Sequence, residues 1–224
     1  MQTLVEMRAV ERTYRSGSSE VRALRDATLE VEEGESVAIM GRSGSGKSTL
    51  LQILGLLDRP TDGSYRLRGV DVAQLSTAER AAIRANDLGF VFQTFHLLDD
   101  LSVLENVEAP FAYRKATRRE VRRLASAALD RVGLIDRAHH RPNELSGGEM
   151  QRTAIARAVA GGPRLLLADE PTGNLDEETG EEILALLGEL SGAGGTLVIV
   201  THDPDVAARM GRTLVMKSGV LGPC

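Results

Sequence analysis

The sequence predicts an α/β fold with a mainly parallel sheet and an inserted helical segment. Three observations carry this. Short continuous apolar runs at residues 36–40, 88–92, 164–168 and 196–201 have the pattern of strands buried on both faces. Strand-like runs alternate with helical stretches towards both ends of the chain. The middle third carries helix-start signals instead.

Taken in order, residues 4–10 and 27–31 read as strands, and Glu32-Glu33-Gly34-Glu35 as a turn. Residues 36–40 form a short apolar strand that runs into Gly41. Residues 47–57 read as a helix, stopped by Asp58-Arg59-Pro60. Ser76 with Glu79 three places on is a capping box that starts the next helix. After the strand at 88–92, Ser102 with Glu105 and Thr117 with Glu120 repeat that signal. The second of these opens an amphipathic helix that Gly133 can end. Ser146 opens a further helix that closes near Gly161-Gly162-Pro163. A helix over residues 177–190 separates the last two apolar strands.

The composition is that of a folded domain. The chain has 224 residues, 42% hydrophobic and 26% charged, which excludes disorder and low-complexity architecture. A formal net charge of −5 argues against coating nucleic acid by charge alone. One cysteine, Cys224, allows no intrachain disulfide and no cysteine-based metal site. The segment from Met1 to Tyr14 is not a signal peptide. The longest apolar run, residues 50–57, is far short of a membrane helix. The expectation is a soluble chain whose membrane role would come through a partner. Charge is unevenly spread. Residues 114–137 hold eight Lys/Arg against three acids, and residues 169–190 hold eight acids and no Lys or Arg. The basic run reads as a solvated helix face, or as contact with an acidic partner loop or an anionic leaflet.

Gly41-Arg42-Ser43-Gly44-Ser45-Gly46-Lys47-Ser48 matches G-x-x-x-x-G-K-[ST] between a strand and a helix. Glycines let successive backbone N–H groups curl towards phosphate oxygens, and the helix N-terminus adds its positive end. The candidate phosphate-binding residues are Gly41, Ser43, Gly44, Ser45, Gly46, Lys47, Ser48 and Thr49. Lys47 reaches the β- and γ-phosphates, and Ser48 is a ligand for Mg²⁺. The bland alternative is a chance glycine-rich turn. The apolar run 165–168 ends in Asp169 and Glu170. An acid at a strand's C-terminal end falls beside the phosphate loop of such a fold. Asp169 would hold Mg²⁺, mostly through water, and Glu170 would polarise the attacking water. The alternative is a strand end with two solvated acids.

Leu145-Ser146-Gly147-Gly148-Glu149-Met150-Gln151-Arg152 resembles the signature sequence of ATP-binding-cassette (ABC) ATPases. Glu149 stands where that family often has Gln. A carboxylate near phosphate is repulsive, so it is expected to point away and cap the helix. Other landmarks of the family follow in order. Gln93 resembles the glutamine of the Q-loop, which touches Mg²⁺ and the attacking water. Asn174-Leu175-Asp176 resembles the D-loop, with Asp176 at the dimer interface. His202 resembles the switch histidine that holds the γ-phosphate, and Tyr14 the aromatic that stacks on adenine.

The resemblance covers essentially the whole chain. It implies a P-loop NTPase of the ABC-ATPase fold, with an antiparallel β portion beside the parallel core. Residues 1–94 and 150–224 would be the catalytic core and 95–149 the inserted helical subdomain. It further implies MgATP as substrate complex, a second copy of the chain as partner in an ATP sandwich, and an integral membrane permease as the driven subunit. The chain would then sit peripherally on the cytoplasmic face of the cell membrane and bind no nucleic acid. Residues 55–63, 89–93 and 169–176 resemble the macrolide-efflux and lipoprotein-release branch. Phe95, Leu97 and Leu98 would border the permease groove, with at least one exposed. The alternatives are a regulatory ABC ATPase of envelope or division processes, a non-transport ABC ATPase, and a P-loop kinase.

Overall fold

The computed structural model describes residues 2–17, 19–192 and 194–224. β1 (Thr3–Ser16) and β2 (Ser19–Glu32) are long antiparallel partners, and β3 (Ser36–Met40) leads into α1 (Lys47–Leu54). β4 (Asp62–Leu67) and β5 (Val70–Asp71) come next, then α2 (Thr77–Asp87) and β6 (Leu88–Phe92). Three helices follow: α3 (Val103–Glu108), α4 (Arg118–Arg131) and α5 (Gly147–Val159). β7 (Leu165–Asp169), α6 (Glu177–Gly192), β8 (Thr196–Thr201) and α7 (Pro204–Ala208) restore the alternation. β9 (Arg212–Lys217) and β10 (Val220–Pro223) close it as a hairpin.

These elements fall into two compact units. One holds the chain up to Arg80 together with Thr196–Cys224, and the other holds Ala81–Gly195. In the first unit, β2-β1-β4-β5 form an antiparallel sheet and β3 is parallel to both β8 and β9. The apolar runs behave as expected. Val37, Ala38 and Ile39 are fully buried, and every residue of β8 is buried. β1 and β2 are longer than the apolar pattern suggested, because their outer halves are mostly polar and are held by backbone pairing together with the Arg15–Glu20 ion pair. Bulges with left-handed Ala9 and Asp26 (φ 48° and 50°) also break the alternation there.

α1 ends three residues before the predicted stop. Leu56 takes φ 56°, its N–H bonds the Ile53 carbonyl, and the Leu57 N–H bonds the Gln52 carbonyl at 2.8 Å. This is a Schellman closure with leucine where glycine is usual. Buried Tyr65 on β4 donates its hydroxyl to the Leu54 carbonyl at 2.8 Å, and Arg80 donates to the Leu56 and Asp58 carbonyls. The end of the helix is thereby fixed from two sides.

In the second unit, β6 and β7 are parallel, and α3 and α4 pack on α5. The segment 95–149 lies inside this unit. Ser102 and Ser146 form reciprocal capping boxes with Glu105 and Glu149, as their spacing predicts. Thr117 accepts the Glu120 N–H to start α4. Asn106 is wholly buried on α3. It accepts from the Leu98 N–H at 2.7 Å and donates to the carbonyls of Leu98, Leu101 and Ser102. One amide thus bonds four backbone groups of the loop ahead of α3. Asn106→Ala removes the amide partner of the Leu98 N–H and of the Leu101 carbonyl, while the Leu98 and Ser102 carbonyls keep their backbone donors, and it is expected to cost about 1–3 kcal/mol of unfolding free energy. A urea titration checks this, and an unchanged midpoint would mean that water replaces the amide.

Candidate functional site

The first unit builds a phosphate-sized loop from backbone. β3 delivers the chain to Gly41, and α1 begins at Lys47. Gly44 and Gly46 take φ 75° and 108°, a region that side chains disfavour. A Cβ on Gly46 would lie 2.4 Å from the Ala23 carbonyl oxygen. One on Gly41 would lie 2.5 Å from that of Met216. Both glycines are therefore demanded by space. Gly46 is also the N-cap of α1, offers no capping side chain, and is followed by no acid in the first turn. The positive end of the helix faces the loop without a side-chain anion of its own.

Lys47 is buried, and its Nζ donates to the carbonyls of Gly41 at 2.7 Å and Arg42 at 3.2 Å. The ammonium is thus folded over the loop it serves. Ser48 is exposed and Thr49 half-buried on the same turn. Gly41, Ser43, Gly44 and Ser45 line a groove of about 560 Å³ together with Val215, Met216, Lys217 and Ser218. The β9–β10 turn braces this loop. Gly219 donates its N–H to the Ser45 carbonyl at 2.8 Å and accepts the Arg25 N–H at 2.8 Å. Sequence reading missed this brace. Its signal was the Ser218-Gly219 pair, a two-residue hairpin turn with φ 48° and 86°.

His202 stands directly after β8, and β8 pairs with β3 in the register Met40↔Thr201. Gly41 and His202 therefore leave neighbouring strands at the same C-terminal edge, and the His202 side chain is exposed. Tyr14, on β1, donates its hydroxyl to Asp58 Oδ2 at 2.8 Å. The Arg12 guanidinium lies 4.4 Å from the ring centroid of Tyr14. One face of the ring thus already carries a cation.

The second unit holds the acids. β6 and β7 run parallel in the register Phe92↔Asp169, so Gln93 and Glu170 leave adjacent strands at one edge. Glu170 takes φ 45°, a strained conformation for a non-glycine residue. Gln93 and Asn174 form a reciprocal pair. Gln93 Nε2 donates to Asn174 Oδ1 at 3.1 Å, and Asn174 Nδ2 donates to the Gln93 carbonyl at 2.9 Å. A Cβ on Gly173 would lie 2.8 Å from Gln93 Nε2, so a side chain there would push the Gln93 amide aside.

At the start of α5, Ser146 Oγ accepts the Glu149 N–H at 3.3 Å. Glu149 Oε2 accepts the Ser146 N–H at 2.9 Å. Glu149 caps the helix as expected, and the Ser146 backbone N–H is the main cause that holds its carboxyl below the usual range. A Cβ on Gly148 would lie 2.6 Å from Thr179 Cγ2, whereas the nearest atom to one on Gly147 is 3.5 Å away. Asp176 caps the first turn of α6, accepting the Thr179 N–H at 2.9 Å and the Thr179 hydroxyl at 2.8 Å. These bonds lower its pKa, the backbone one most. In the basic run, Arg114 donates to the carbonyls of Ala85 and Gly161 and is structural. Lys115, Arg118, Arg119, Arg122 and Arg123 are exposed. Of the three apolar residues after Gln93, Leu98 is 51% exposed.

Known proteins match this architecture. The ABC transporter family model matches residues 24–173. A macrolide export ATP-binding/permease protein, MacB, of Rhodopseudomonas palustris is 52% identical over 97% of this chain. The match covers 33% of that relative, so this chain spans about a third of its length. An uncharacterized ABC transporter ATP-binding protein of Bacillus subtilis, YvrO, is 49% identical over 97% of this chain and 95% of its own. The solved dimeric structure of a bacterial ABC transporter cassette, MJ0796, superposes with a TM-score of 0.90 at 43% identity. It covers 97% of this chain and 96% of that one. No helix among the described residues is long and apolar enough to cross a membrane. The chain belongs to the ABC transporter family and has the fold of its ATP-binding cassette.

Proposed function

We propose that this chain binds MgATP, hydrolyses it to ADP and phosphate as a dimer of two identical subunits, and drives a membrane permease of the efflux or lipoprotein-release type. The observation that carries the reading is the phosphate loop. It combines an uncapped helix start, glycines forced by space, and a buried ammonium held only by loop carbonyls. Two relatives support it. One is named for macrolide export and joins the cassette to a permease. A cassette structure 45% identical to this chain is described as a post-hydrolysis state bound to ADP and Pi. In this reading residues 1–94 and 150–224 are the catalytic core and 95–149 the helical subdomain. The cassette sits on the cytoplasmic face of the cell membrane through its permease.

The chemistry follows from the residues. Loop N–H groups and the α1 N-terminus take the phosphate oxygens, and Lys47 moves from its two carbonyls to the β- and γ-oxygens. Glu170 accepts the proton of the attacking water as its oxygen bonds the γ-phosphorus. The bond from that phosphorus to the β–γ bridging oxygen breaks, and its electron pair leaves with ADP. Gln93 orients the water, and His202 donates to a γ-phosphate oxygen. Magnesium, which favours hard oxygen donors and keeps several waters, suits the Ser48 hydroxyl, the Asp169 carboxylate and the Gln93 amide oxygen. When bound it supplies charge neutralisation at the β- and γ-oxygens. Ser146, Gly147 and Gly148 face the γ-phosphate bound by the other copy, Asp176 crosses the dimer interface, and Tyr14 stacks on adenine. Catalysis is then mostly positioning and electrostatics.

Two measurements test this. Glu170→Gln should keep MgATP binding while turnover falls by about 10²–10⁴, and the variant should accumulate as an ATP-bound dimer in light scattering. A Glu170→Gln chain that turns over at the parent rate removes the base assignment. Lys47→Ala should abolish MgATP binding, whereas Ser146→Arg should bind within about threefold of the parent and still lose turnover. Equal loss of binding by both variants would place the signature in the same site as the loop and exclude the sandwich.

A further inference from the structure

The two loops that carry Gln93 and Glu170 are both tied to one helix. Gln151 is wholly buried on α5, and its Nε2 donates to the Pro171 carbonyl, one residue beyond Glu170. Arg157 lies six residues further along the same helix. Its guanidinium donates to the Phe95 carbonyl at 2.6 Å and to the His96 carbonyl. Phe95 and His96 follow Gln93 closely, and both take left-handed backbone, φ 56° and 48°. Two consecutive non-glycine residues in that region are strained and persist only where their surroundings over-determine them. Turn bonds from the Phe95 and His96 N–H groups hold the pair from within, and Arg157, whose planar fork takes two carbonyls at once, holds it from the helix. The loops are then joined to each other by the reciprocal Gln93–Asn174 bonds.

We infer that Arg157 is a positioning residue for Gln93. Its grip on the Phe95 and His96 carbonyls sets where Gln93 sits, and Asn174 passes that placement to the loop of Glu170. Gln151 holds the far side of the same loop. The helix that begins with the signature residues Ser146, Gly147 and Gly148 is therefore the frame on which the water-orienting amide and the proposed base are mounted. Any shift of that helix is felt at both. A purely stapling Arg157 would matter for stability alone. Under the present inference it matters for turnover, because a displacement of about 1 Å at a positioned group costs about 10²-fold in rate. The inference rests on the ATPase reading above, and its first readout does not.

The test uses the full chain with Arg157→Met and, as the variant that keeps the charge, Arg157→Lys. In nucleotide-free protein, amide hydrogen exchange at residues 93–98 should speed up by about tenfold or more in Arg157→Met, while residues 41–50 exchange as in the parent. ATP affinity should stay within about threefold, and kcat should fall by about 10–100-fold with KM little changed. Arg157→Lys should recover only part of that loss, since one ammonium cannot reproduce the fork. Adding Arg157→Met to Gln93→Ala should lower kcat little beyond Gln93→Ala alone, because the two act as a unit. Exchange at 93–98 equal to the parent, or multiplicative losses in the double variant, would overturn the inference. If the parent chain hydrolyses no ATP, the ATPase reading fails by itself, and the exchange measurement still decides the role of Arg157.

Discussion

The arrangement depends on the backbone N–H groups at the start of α1 being left without a side-chain partner. A helix begins with four N–H groups that its own ladder cannot satisfy. In α3 and α5 two of them, the N–H groups of the capping serine and of the glutamate three residues on, are taken by Ser102 and Ser146 and the reciprocal glutamates. α1 is treated differently: its N-cap is Gly46, with no side chain, and its first turn has no acid. Everything around it serves that choice. β3 is fully buried along its centre, so its end is rigid where Gly41 leaves it. Ala23 and Met216 press their carbonyls to within 2.4 Å and 2.5 Å of where a Cβ would stand on Gly46 and Gly41. The turn at Gly219 ties the loop to the last hairpin and, through Arg25, to β2. The anion site is therefore a property of packing as much as of the motif.

The second unit stores strain in the same manner near its own candidate residues. Glu170, Phe95 and His96 are non-glycine residues in left-handed backbone. Each is worth about 1–3 kcal/mol of local cost and persists only where contacts over-determine it. Buried Gln151 and the Arg157 fork supply those contacts beside them. Burial pulls the Arg157 pKa down, so keeping the cation there makes both carbonyl contacts valuable.

The core strands were legible because both faces are buried and the sequence is apolar without interruption. Ser36–Met40, Leu88–Phe92 and Thr196–Thr201 begin and end as the apolar pattern says. The helix starts at Ser76, Ser102, Thr117 and Ser146 were legible for a local reason, since serine or threonine accepts the N–H of the glutamate three residues on, and at the three serines the glutamate bonds back. β4, β9 and β10 were not legible. β4 reads Asp-Gly-Ser-Tyr-Arg-Leu, and only Tyr65 and Leu67 in it are buried, so pairing with β1 decides its state. In the candidate site, residues that touch phosphate or water by their own chemistry, such as Lys47, Asp169 and Glu170, announce themselves by type and spacing. Asn174 and Gln151 fall inside recognisable motifs, but their bonds, like those of Arg157, go to backbone far away in sequence, and nothing local announces those partners.

The glutamate in the signature shows how a departure of charge is absorbed by local geometry. Glu149 brings a carboxylate to a helix start whose proposed task is to face phosphate. At about 8 Å in a water-like medium two unit charges interact by only ~0.5 kcal/mol, but in a closed, drier interface the same pair costs several times more. The structure removes most of that problem before a partner arrives. Oε2 is turned back onto the Ser146 N–H, and Oε1 lies 3.3 Å from Arg137 Nε. The carboxylate is thus paired with a cation and aimed along the helix edge. Ser146 is engaged through its Oγ as acceptor of the Glu149 N–H. What this leaves for an approaching anion is the N–H groups of Gly147 and Gly148. Of these two, Gly148 has no space for a side chain against Thr179. The capping acid therefore does for the signature helix what the missing cap does for α1. In α1 no side-chain oxygen caps the helix start, and in α5 the capping oxygens are turned onto the Ser146 and Glu149 N–H groups.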